Sequence, residues 1–269
     1  MKFNISAGHN PDNKVACGAS CKATDMYEST EARYQTKKVI EYLKGDKHTT
    51  YNCTCDNGTS QKDVLKKIVA KCNQHSVALD ISIHFNSGAE DEKGNGRTTG
   101  VEVLYTNSAV LPKANLICKN LEAIGFKNRG AKKDDHKYYL NQTDSKAILI
   151  EVCFVDDMDD AKIYKSNRDN IARAIADGIE GKKYVKREGK MNKVIAYSGE
   201  VDKIAATILN WKLKDYSLKD ANSLKGKEIN NLIVVGGGAA NLLPGAKEKI
   251  VGKDRFETVK KVSEYIDKI

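Results

Sequence analysis

The sequence predicts an α/β fold: a mostly parallel sheet with helices on both faces, followed by a small C-terminal α/β domain. Short, apolar, β-branched segments typical of buried strands alternate with segments of helical periodicity, and the alternation begins again near residue 191. Strands that alternate with helices are typical of parallel sheets covered on both faces. The predicted strands are residues 1–6, 77–84, 100–105 and 147–155, with 193–197 and 231–235 in the C-terminal domain.

The segments between these strands carry apolar residues at helical spacing. Residues 30–44 begin at a threonine suited to capping, and residues 60–73 begin with Ser60 and Asp63 at the spacing of a capping box. In both segments the apolar side chains fall on one stripe, as expected of a helix packed against a sheet. The same periodicity predicts helices at residues 111–124, 159–179, 202–210 and 255–266.

Length and charge indicate two domains joined by a basic linker. A chain of 269 residues exceeds a typical single domain, and we predict a first domain at 1–181, a linker at 182–190 and a second domain at 191–269. Of the net charge of +9, the linker contributes five basic and one acidic residue, and the second domain 14 basic and 10 acidic residues. These basic segments favour anionic partners such as wall polymers. No basic groove with interleaved aromatic residues is visible, so we expect no nucleic-acid partner.

The chain lacks the sequence features of membrane insertion and export. No segment approaches the run of about 20 apolar residues that a membrane helix needs. The first residues, MKFNISAGHN, lack the apolar core of a signal peptide. We therefore expect synthesis in the cytoplasm, no membrane insertion, and another route to any target outside.

The seven cysteines do not predict a disulfide framework, because their number is odd and their spacings are irregular. The close pairs Cys17/Cys21 and Cys53/Cys55 raise the alternative of a structural zinc site. Neither pair has the repeated short gap that is usual in such sites. Ordinary reduced cysteines are the better interpretation.

Two of the five histidines share one sequence context. His9 and His84 each end an apolar strand and are followed within two residues by asparagine. Because neighbouring parallel strands deliver their carboxyl ends to one crevice, we expect the two imidazoles to converge there. Catalytic zinc is often held by two histidines and a glutamate, with one position left open. We favour Glu31 as the third ligand, since a helix can aim its carboxylate at the crevice, and Glu28 is the alternative.

Glu151 lies inside the apolar run ILIEVCFV. A charge among apolar neighbours is costly unless it has a partner or a task. Burial would raise its pKa towards neutral pH, which suits a group that takes a proton from zinc-bound water and passes it to a leaving amine. A structural ion pair is the alternative, and the two strand-end histidines favour the catalytic role.

Further motifs accompany these residues along the first domain. In chain order the motifs are GHN at His9, the helix-start Glu31, SIHFN at His84, GVEVLY at Gly100, NRGAK at Asn128 and ILIEVCFVDD at Glu151. With these motifs in this order, residues 1–181 resemble the zinc-dependent N-acetylmuramoyl-L-alanine amidases of the type 3 family, found in autolysins and phage endolysins. The resemblance implies a Zn²⁺ cofactor and cleavage of peptidoglycan between the lactyl carbonyl of N-acetylmuramic acid and the L-alanine of the stem peptide.

The resemblance leaves two points open. Members of the family often have a longer, less charged stretch around the helix that carries the second ligand, which keeps Glu28 as the alternative to Glu31. Asn86 and Arg129 are candidates for contacting the substrate or supporting the ligands, and a structural role is the alternative for each.

The second domain carries its own motifs. Residues 232–266 contain a VVGG turn and the segment GKDRFET at 252–258. They resemble one copy of the clostridial type 2 cell-wall-binding repeat, and residues 191–269 resemble the C-terminal modules of clostridial phage endolysins. The resemblance implies binding to the cell wall. Because such repeats usually come in threes and associate, our hypothesis for a lone copy is self-association.

The linker leads to a second hypothesis. The residues REG at 187–189 require purine-rich codons, which can form a ribosome-binding sequence ahead of Met191. An internal start at Met191 would produce the second domain beside the full chain. The usual composition of basic linkers is the alternative explanation of these residues, and proteolysis is the alternative source of such a fragment.

The leading functional hypothesis is a phage-type endolysin that reaches peptidoglycan when a holin opens the membrane. A bacterial autolysin of the same chemistry is the first alternative. A zinc peptidase acting on the stem peptide is the second, but the sequence lacks an H-E-x-x-H motif. The third is a wall-binding module with a structural zinc site. The expected site has an open fourth position, which argues against a structural role.

Overall fold

The computed structural model describes residues 1–185, 191–227 and 229–269, with Met191 and Asn192 described by their backbone alone. The chain divides into two compact units, Met1–Lys186 and Arg187–Ile269. Residues 186–190 lie outside the described part, and they include most of the predicted linker and the REG residues behind the internal-start hypothesis. Among the described residues, no helix is both long and apolar enough to cross a membrane.

The first unit combines strands and α-helices in alternation. Its strands are β1 (Lys2–Ala7), β2 (Ser20–Cys21), β3 (Met26–Tyr27), β4 (Thr49–Asn52), β5 (Leu79–Asn86), β6 (Val101–Tyr105), β7 (Asn128–Lys133) and β8 (Ala147–Phe154). Its helices are α1 (Glu28–Gly45), α2 (Gln61–Cys72), α3 (Leu111–Glu122), α4 (Tyr138–Gln142) and α5 (Met158–Glu180).

One sheet of the first unit has the strand order β4-β1-β5-β8-β6-β7. Strands β4, β1, β5 and β8 are mutually parallel, whereas β6 is antiparallel to β8 and β7 runs parallel to β6. The carboxyl ends of β1, β5 and β8 therefore meet the amino end of β6 at one edge. The predicted fold class is confirmed, because the sheet is mostly parallel and helices cover both of its faces.

Side chains alternate between the two faces along each strand, and each face has its own core. Ile83 and Ile150 lie on the face covered by α1, α3 and α5, in the larger apolar cluster. The opposite face is covered by α2 and α4 through a smaller cluster. His84 and Glu151 are one residue out of phase with those isoleucines, so they belong to this second face.

The unpredicted elements of the first unit are polar or short. Strands β4 (TTYN) and β7 (NRGAKK) lie at the two edges of the sheet, where polar residues are tolerated. Helix α4 has five residues, too few for helical periodicity to appear. The reversed direction of β6 also leaves no trace in its pattern, because both directions use the same two-residue alternation.

Helix starts agree with the predicted capping at one helix and differ at the other. Ser60 caps α2 as predicted, with its Oγ accepting a hydrogen bond from the backbone N–H of Asp63 at 3.2 Å. Helix α1 begins at Glu28, two residues before the predicted Thr30, and has no side-chain cap. The earlier start puts both Glu28 and Glu31 into the first turn, where the helix dipole favours carboxylates.

A buried arginine ties α5 to the end of α1. Arg173 is 5% exposed. Its guanidinium donates hydrogen bonds to Asp46 at 2.6 Å, to Asp177, and to Glu180 at 3.2 Å. The burial of this cation is tolerated because three carboxylates surround it.

Replacing Arg173 with Met is expected to lower the free energy of unfolding by about 3–5 kcal/mol, because the carboxylates would stay in place without their cation. Urea denaturation of the full-length variant measures the loss. Lys162→Met on the same helix is the control. Lys162 is exposed with its Nζ 3.9 Å from Asp159, and we expect a change below about 0.5 kcal/mol. Equal losses in the two variants would contradict a specific role for the buried network.

The second unit has a separate sheet of parallel strands in the order β10-β9-β11-β12. Its described elements are β9 (Met191–Tyr197), α6 (Glu200–Lys212), β10 (Ser217–Asp220), β11 (Ile229–Val235), α7 (Gly237–Leu242), β12 (Glu248–Ile250) and α8 (Arg255–Ile266). Helices α6 and α8 cover one face, and α7 covers the other. The prediction of a small C-terminal α/β fold is confirmed.

Candidate metal centre and active site

Strands β1, β5 and β8 bring His9, His84 and Glu151 close together, with His84 two residues before the end of β5 and Glu151 inside β8. His9 follows β1, and its φ of 64° lies in the left-handed region, which non-glycine residues adopt at a cost. In the pairing of β5 with β8, His84 is the register partner of Glu151. Because they occupy the same row of the sheet, their side chains stand side by side on the face covered by α2.

Glycines at positions 8 and 18 leave room for the polar groups. A Cβ on Gly8 would lie 2.0 Å from Cε1 of His84. A Cβ on Gly18 would lie 2.6 Å from Oε2 of Glu28 and 2.9 Å from Cδ2 of His9. Any larger residue at either position would therefore have to displace a histidine or the carboxylate. Gly18 also has a φ of 85°, which other residues rarely adopt.

Glu28 joins the two histidines. Its Oε1 lies 3.0 Å from Nδ1 of His84 and 3.3 Å from Nε2 of His9. Donor atoms of His9, Glu28 and His84 all lie within 4.8 Å of one another. The backbone N–H groups of Ala19 and Phe85 donate to the same carboxylate at 2.9 and 3.2 Å, which holds its orientation. Two imidazoles and one carboxylate thus converge on a volume that one cation could share.

The electrostatics of this group favour an ionised carboxylate beside a neutral His84. Burial alone would raise the pKa of Glu28, but its hydrogen bonds with His84 and His9 hold it well below its ordinary value. Burial lowers the pKa of His84 and outweighs the opposing effect of Glu28. Carboxylates and neutral imidazoles are the forms in which these side chains bind metal ions.

Glu31, the predicted third member of the group, lies elsewhere. Its Oε2 accepts hydrogen bonds from the hydroxyl of Tyr164 and from Nη2 of Arg168, each at 2.6 Å. The guanidinium of Arg168 stacks 3.7 Å from the ring centroid of Tyr34. Glu28 is the first residue of α1 and lies beside the two histidines, whereas Glu31, three residues later, contacts α5. The structure thus brings Glu28, the alternative, to the two histidines and places the predicted Glu31 apart from them.

Glu151 lines a cavity of about 210 Å³ that His9, Glu28 and His84 also line. Its Oε2 is buried and has no hydrogen-bond partner in the described part of the chain. Burial, followed by the charge of Glu28, raises the pKa of Glu151 to about 8. A carboxyl group with a pKa near neutrality and an unengaged oxygen is suited to accept and return a proton.

Apolar side chains form another part of the wall of this cavity. They are Val64, Leu65 and Ile68 of α2 and Leu149 of β8. Most of these side chains belong to the smaller apolar cluster of the unit, so the wall is held by core packing. Such a wall keeps water away from the polar groups and offers contact to a small apolar part of a ligand.

Asn86 and Arg129, the predicted substrate contacts, both bind the carboxylate of Glu102 on β6. Glu102 was not among the predicted site residues. Glu102 accepts hydrogen bonds from Asn86 at 3.2 Å and from Arg129 at 2.7 Å. Nζ of Lys132 donates to the same carboxylate at 2.6 Å. Asn86 lines the cavity, whereas Arg129 is not among the described residues that line it. Glu102 is the register partner of Glu151, and its position within the apolar run GVEVLY was the available signal.

The charge of Glu102 is expected to stabilise the fold above acidic pH. Burial alone would raise the pKa of Glu102, but Lys132 and Arg129 hold it below its ordinary value of 4.5. A carboxyl group with a lower pKa in the folded chain stabilises it above pH 4.5, and this contribution is lost as the pH falls through the lowered pKa.

Glu102→Gln is therefore expected to reduce the free energy of unfolding by about 1 kcal/mol at pH 7 and by progressively less in acid. Urea denaturation of both proteins between about pH 3 and pH 7 measures this difference. A difference that stays constant over the range would contradict the ion-pair explanation.

Comparison with known proteins adds sequence relatives. A sequence family described as N-acetylmuramoyl-L-alanine amidase matches residues 4–181. An uncharacterized protein of Clostridium perfringens strain 13 is 32% identical over 198 residues, which cover 71% of this chain and 56% of the relative. An uncharacterized 38.4 kDa protein of Clostridium perfringens is 34% identical over 184 residues, which cover 66% of this chain and 51% of the relative. The chain thus spans about half the length of these two relatives.

Solved structures resemble the first unit in fold and sequence. The catalytic domain of the CD27L endolysin, which targets Clostridia difficile, is 28% identical with a TM-score of 0.59, covering 68% of this chain and 98% of that domain. The catalytic domain of CwlV, an N-acetylmuramoyl-L-alanine amidase from Paenibacillus polymyxa var. colistinus, is 26% identical with a TM-score of 0.55, covering 66% and 96% respectively. Since the family match spans residues 4–181 and contains the whole site, the chain belongs to the N-acetylmuramoyl-L-alanine amidase family.

Proposed function

We propose that this protein is a zinc-dependent N-acetylmuramoyl-L-alanine amidase, which hydrolyses peptidoglycan between N-acetylmuramic acid and the L-alanine of the stem peptide. The observation that carries the proposal is the convergence of His9, Glu28 and His84, whose donor atoms lie within 4.8 Å of one another, beside Glu151 in one cavity. Membership of the amidase family supports the same activity.

The converging residues suit a zinc ion. Two imidazoles and one carboxylate are an established ligand set of catalytic zinc, which keeps a further position open for a reactant. We propose His9, Glu28 and His84 as the three ligands. When bound there, zinc supplies a Lewis acid for the lactyl carbonyl and allows water to lose a proton near pH 7.

Glu151 has the position and the chemistry to move protons. It is the register partner of His84, and its Oε2 has no competing partner among the described residues. In the proposed reaction its carboxyl group takes the proton of the attacking water and passes it to the alanine nitrogen as the amide bond breaks. Glu28, by contrast, has both oxygens engaged by His84 and by backbone amides, which suits it to hold a charge in place.

New amino-terminal alanine on digested walls tests the proposed reaction. Purified, zinc-loaded protein is expected to release it, and a chelator should stop the release until zinc is returned, because the ligands hold the metal reversibly. Other new peptide termini would instead identify a peptidase acting on the stem. Binding to walls without any new terminus would identify a wall-binding module with a structural metal.

Within this activity, we propose an endolysin rather than an autolysin. The support is the similarity to the catalytic domain of an endolysin, which is 28% identical over 98% of that domain. An endolysin made in the cytoplasm reaches the wall only after a holin opens the membrane. Expression in a Gram-positive host is therefore expected to cause lysis only together with a holin, and lysis without one would favour an autolysin.

For the second unit, we propose binding to an anionic wall polymer and association with other copies of the chain. The excess of basic residues in 191–269 supports the first part. The second part is supported by apolar side chains that helices α6 and α8 expose to solvent. Ile204 is 61%, Trp211 70% and Phe256 81% exposed, so these large apolar side chains are available for contact with a second copy.

Analytical ultracentrifugation of the full chain tests the association. The wild type is expected to sediment above the monomer mass, and Trp211→Glu is expected to shift it towards the monomer. Val185, which is 72% exposed in the first unit, provides the control Val185→Glu, which should leave the mass unchanged. A wild type that is strictly monomeric would contradict the proposal.

We also propose that an internal start at Met191 produces the second unit alone. Its support is that residues Arg187–Ile269 form a compact unit, so a chain that starts at Met191 contains almost all of it. Replacing the Met191 codon with a leucine codon should remove the short product and leave the full chain. A short product that persists would indicate proteolysis instead.

A further inference from the structure

One cation stands at the cavity of the proposed active site. Lys137 is the single lysine or arginine among the described residues that line this cavity. Its side chain is exposed, and no carboxylate of the described chain lies within ion-pair distance of its ammonium group. The nearby lysines differ, because Lys132 donates to Glu102 and Lys133 donates to Asp135 at 2.8 Å. Lys137 is therefore available to an anionic ligand in a way that its neighbours are not.

The backbone under Lys137 is held in place although the side chain is unengaged. The carbonyl of Lys137 accepts hydrogen bonds from the backbone N–H and the side-chain Nδ2 of Asn141, at 3.2 and 3.1 Å. Tyr139, two residues later, is 2% exposed and packs in the smaller core cluster. Because the backbone is already fixed, binding a ligand does not require this segment to become ordered.

Lys137 shares its cavity with the proposed reacting groups. His9, Glu28, His84 and Glu151 line the same cavity as Lys137. A substrate whose scissile amide lies at these groups therefore also comes within reach of this cation.

The position of negative charge in the substrate determines which of its groups Lys137 can bind. In the proposed substrate the carboxyl group of muramic acid is part of the scissile amide, so the sugar side carries no charge. Negative charge begins on the peptide side, where the residue after L-alanine is D-glutamate with a free or an amidated α-carboxyl group. One residue spans about 3.8 Å between Cα atoms, so this carboxyl group lies close to the scissile bond.

We propose that Lys137 binds the α-carboxylate of the residue that follows L-alanine, and so makes the enzyme prefer stem peptides in which this carboxyl group is free over those in which it is amidated. The proposal rests on the amidase function proposed above. Lys137 is in this view a specificity-determining residue, and it places the peptide on its own side of the cavity and the sugar on the other.

Two preparations of purified wall that differ only in amidation of this carboxyl group test the proposal. The zinc-loaded full-length wild type is expected to release amino-terminal alanine about fivefold faster from the free acid, the effect of one exposed ion pair. Lys137→Met should lose that factor on the free acid, keep its rate on the amidated wall, and show no preference. Lys137→Arg should retain the preference. Lys133→Met, a change of the same kind on the same segment, should leave the preference at the wild-type value.

Either of two results would overturn the assignment: a wild type without preference, or a Lys137→Met variant whose preference is unchanged. Equal loss of rate on both walls in Lys137→Met would also overturn it, since a structural role affects both substrates alike. A wild type that releases no amino-terminal alanine from either wall would instead reject the amidase function itself.

Discussion

Replacing Glu151 with Gln is expected to lower the rate of wall hydrolysis by about 100- to 10,000-fold while zinc remains bound. Glutamine keeps the size of the side chain and removes its capacity to take up a proton. Because Oε2 of Glu151 has no partner among the described residues, the substitution breaks no hydrogen bond at that atom. The measurements are the release of amino-terminal alanine and the zinc content per chain.

A matched comparison for Glu151 is Glu102, the glutamate that is its register partner on β6. The Glu102 carboxylate forms ion pairs with Arg129 and Lys132. We therefore expect Glu102→Gln to lower mainly the stability of the fold and to reduce hydrolysis far less than Glu151→Gln does. Loss of zinc from Glu151→Gln would make Glu151 a metal ligand. Full activity in Glu151→Gln would exclude it from proton transfer.

Replacing Glu28 with Gln is expected to weaken zinc binding by at least about 100-fold and therefore to abolish hydrolysis. Residues that only hydrogen-bond to a metal ligand already contribute about 10- to 100-fold to metal affinity, and a ligand itself should contribute more. The carboxylate is the one anionic member of the group, lying 3.0 Å from His84 and 3.3 Å from His9. A neutral amide at this position would leave the zinc ion with two imidazoles and no anionic ligand. Titration with zinc, followed by calorimetry, measures the affinity.

Glu31→Gln is the matched control, since it makes the same change three residues along α1. It is expected to retain zinc and to lose about 1–3 kcal/mol of stability, because Tyr164 and Arg168 would lose a charged acceptor. Retention of zinc by Glu28→Gln together with its loss from Glu31→Gln would reverse the assignment of the ligand.

How much of the fold could be predicted depended on where each element lies. Strands β1, β5 and β8 occupy the middle of the sheet, where both faces are covered, and their apolar runs were visible in the sequence. The edge strands β4 and β7 are polar, so they resemble loops. The direction of β6 follows from how its connections pack, for which a strand pattern carries no information.

The candidate site shows the same division. His9 and His84 could be singled out because a strand end is visible in a local pattern, and Glu151 because a charge within an apolar run is rare. Between Glu28 and Glu31 the sequence favoured Glu31, because the predicted helix began at Thr30 and left Glu28 outside it. The choice depends on where α1 begins and on Tyr164 and Arg168, which lie 133 and 137 residues from Glu31 along the chain.

The sequence by itself determined the class of fold, the positions of its central strands along the chain, and the residues that could serve as metal ligands or as the acid–base group. Only the tertiary structure decided that Glu28 joins the histidines, that Glu102 stands beside Glu151, and that Lys137 lines the cavity. The physical reason is the range of the interactions involved. Periodicity and burial act over a few neighbouring residues and leave a local pattern, whereas these contacts depend on how distant segments pack together.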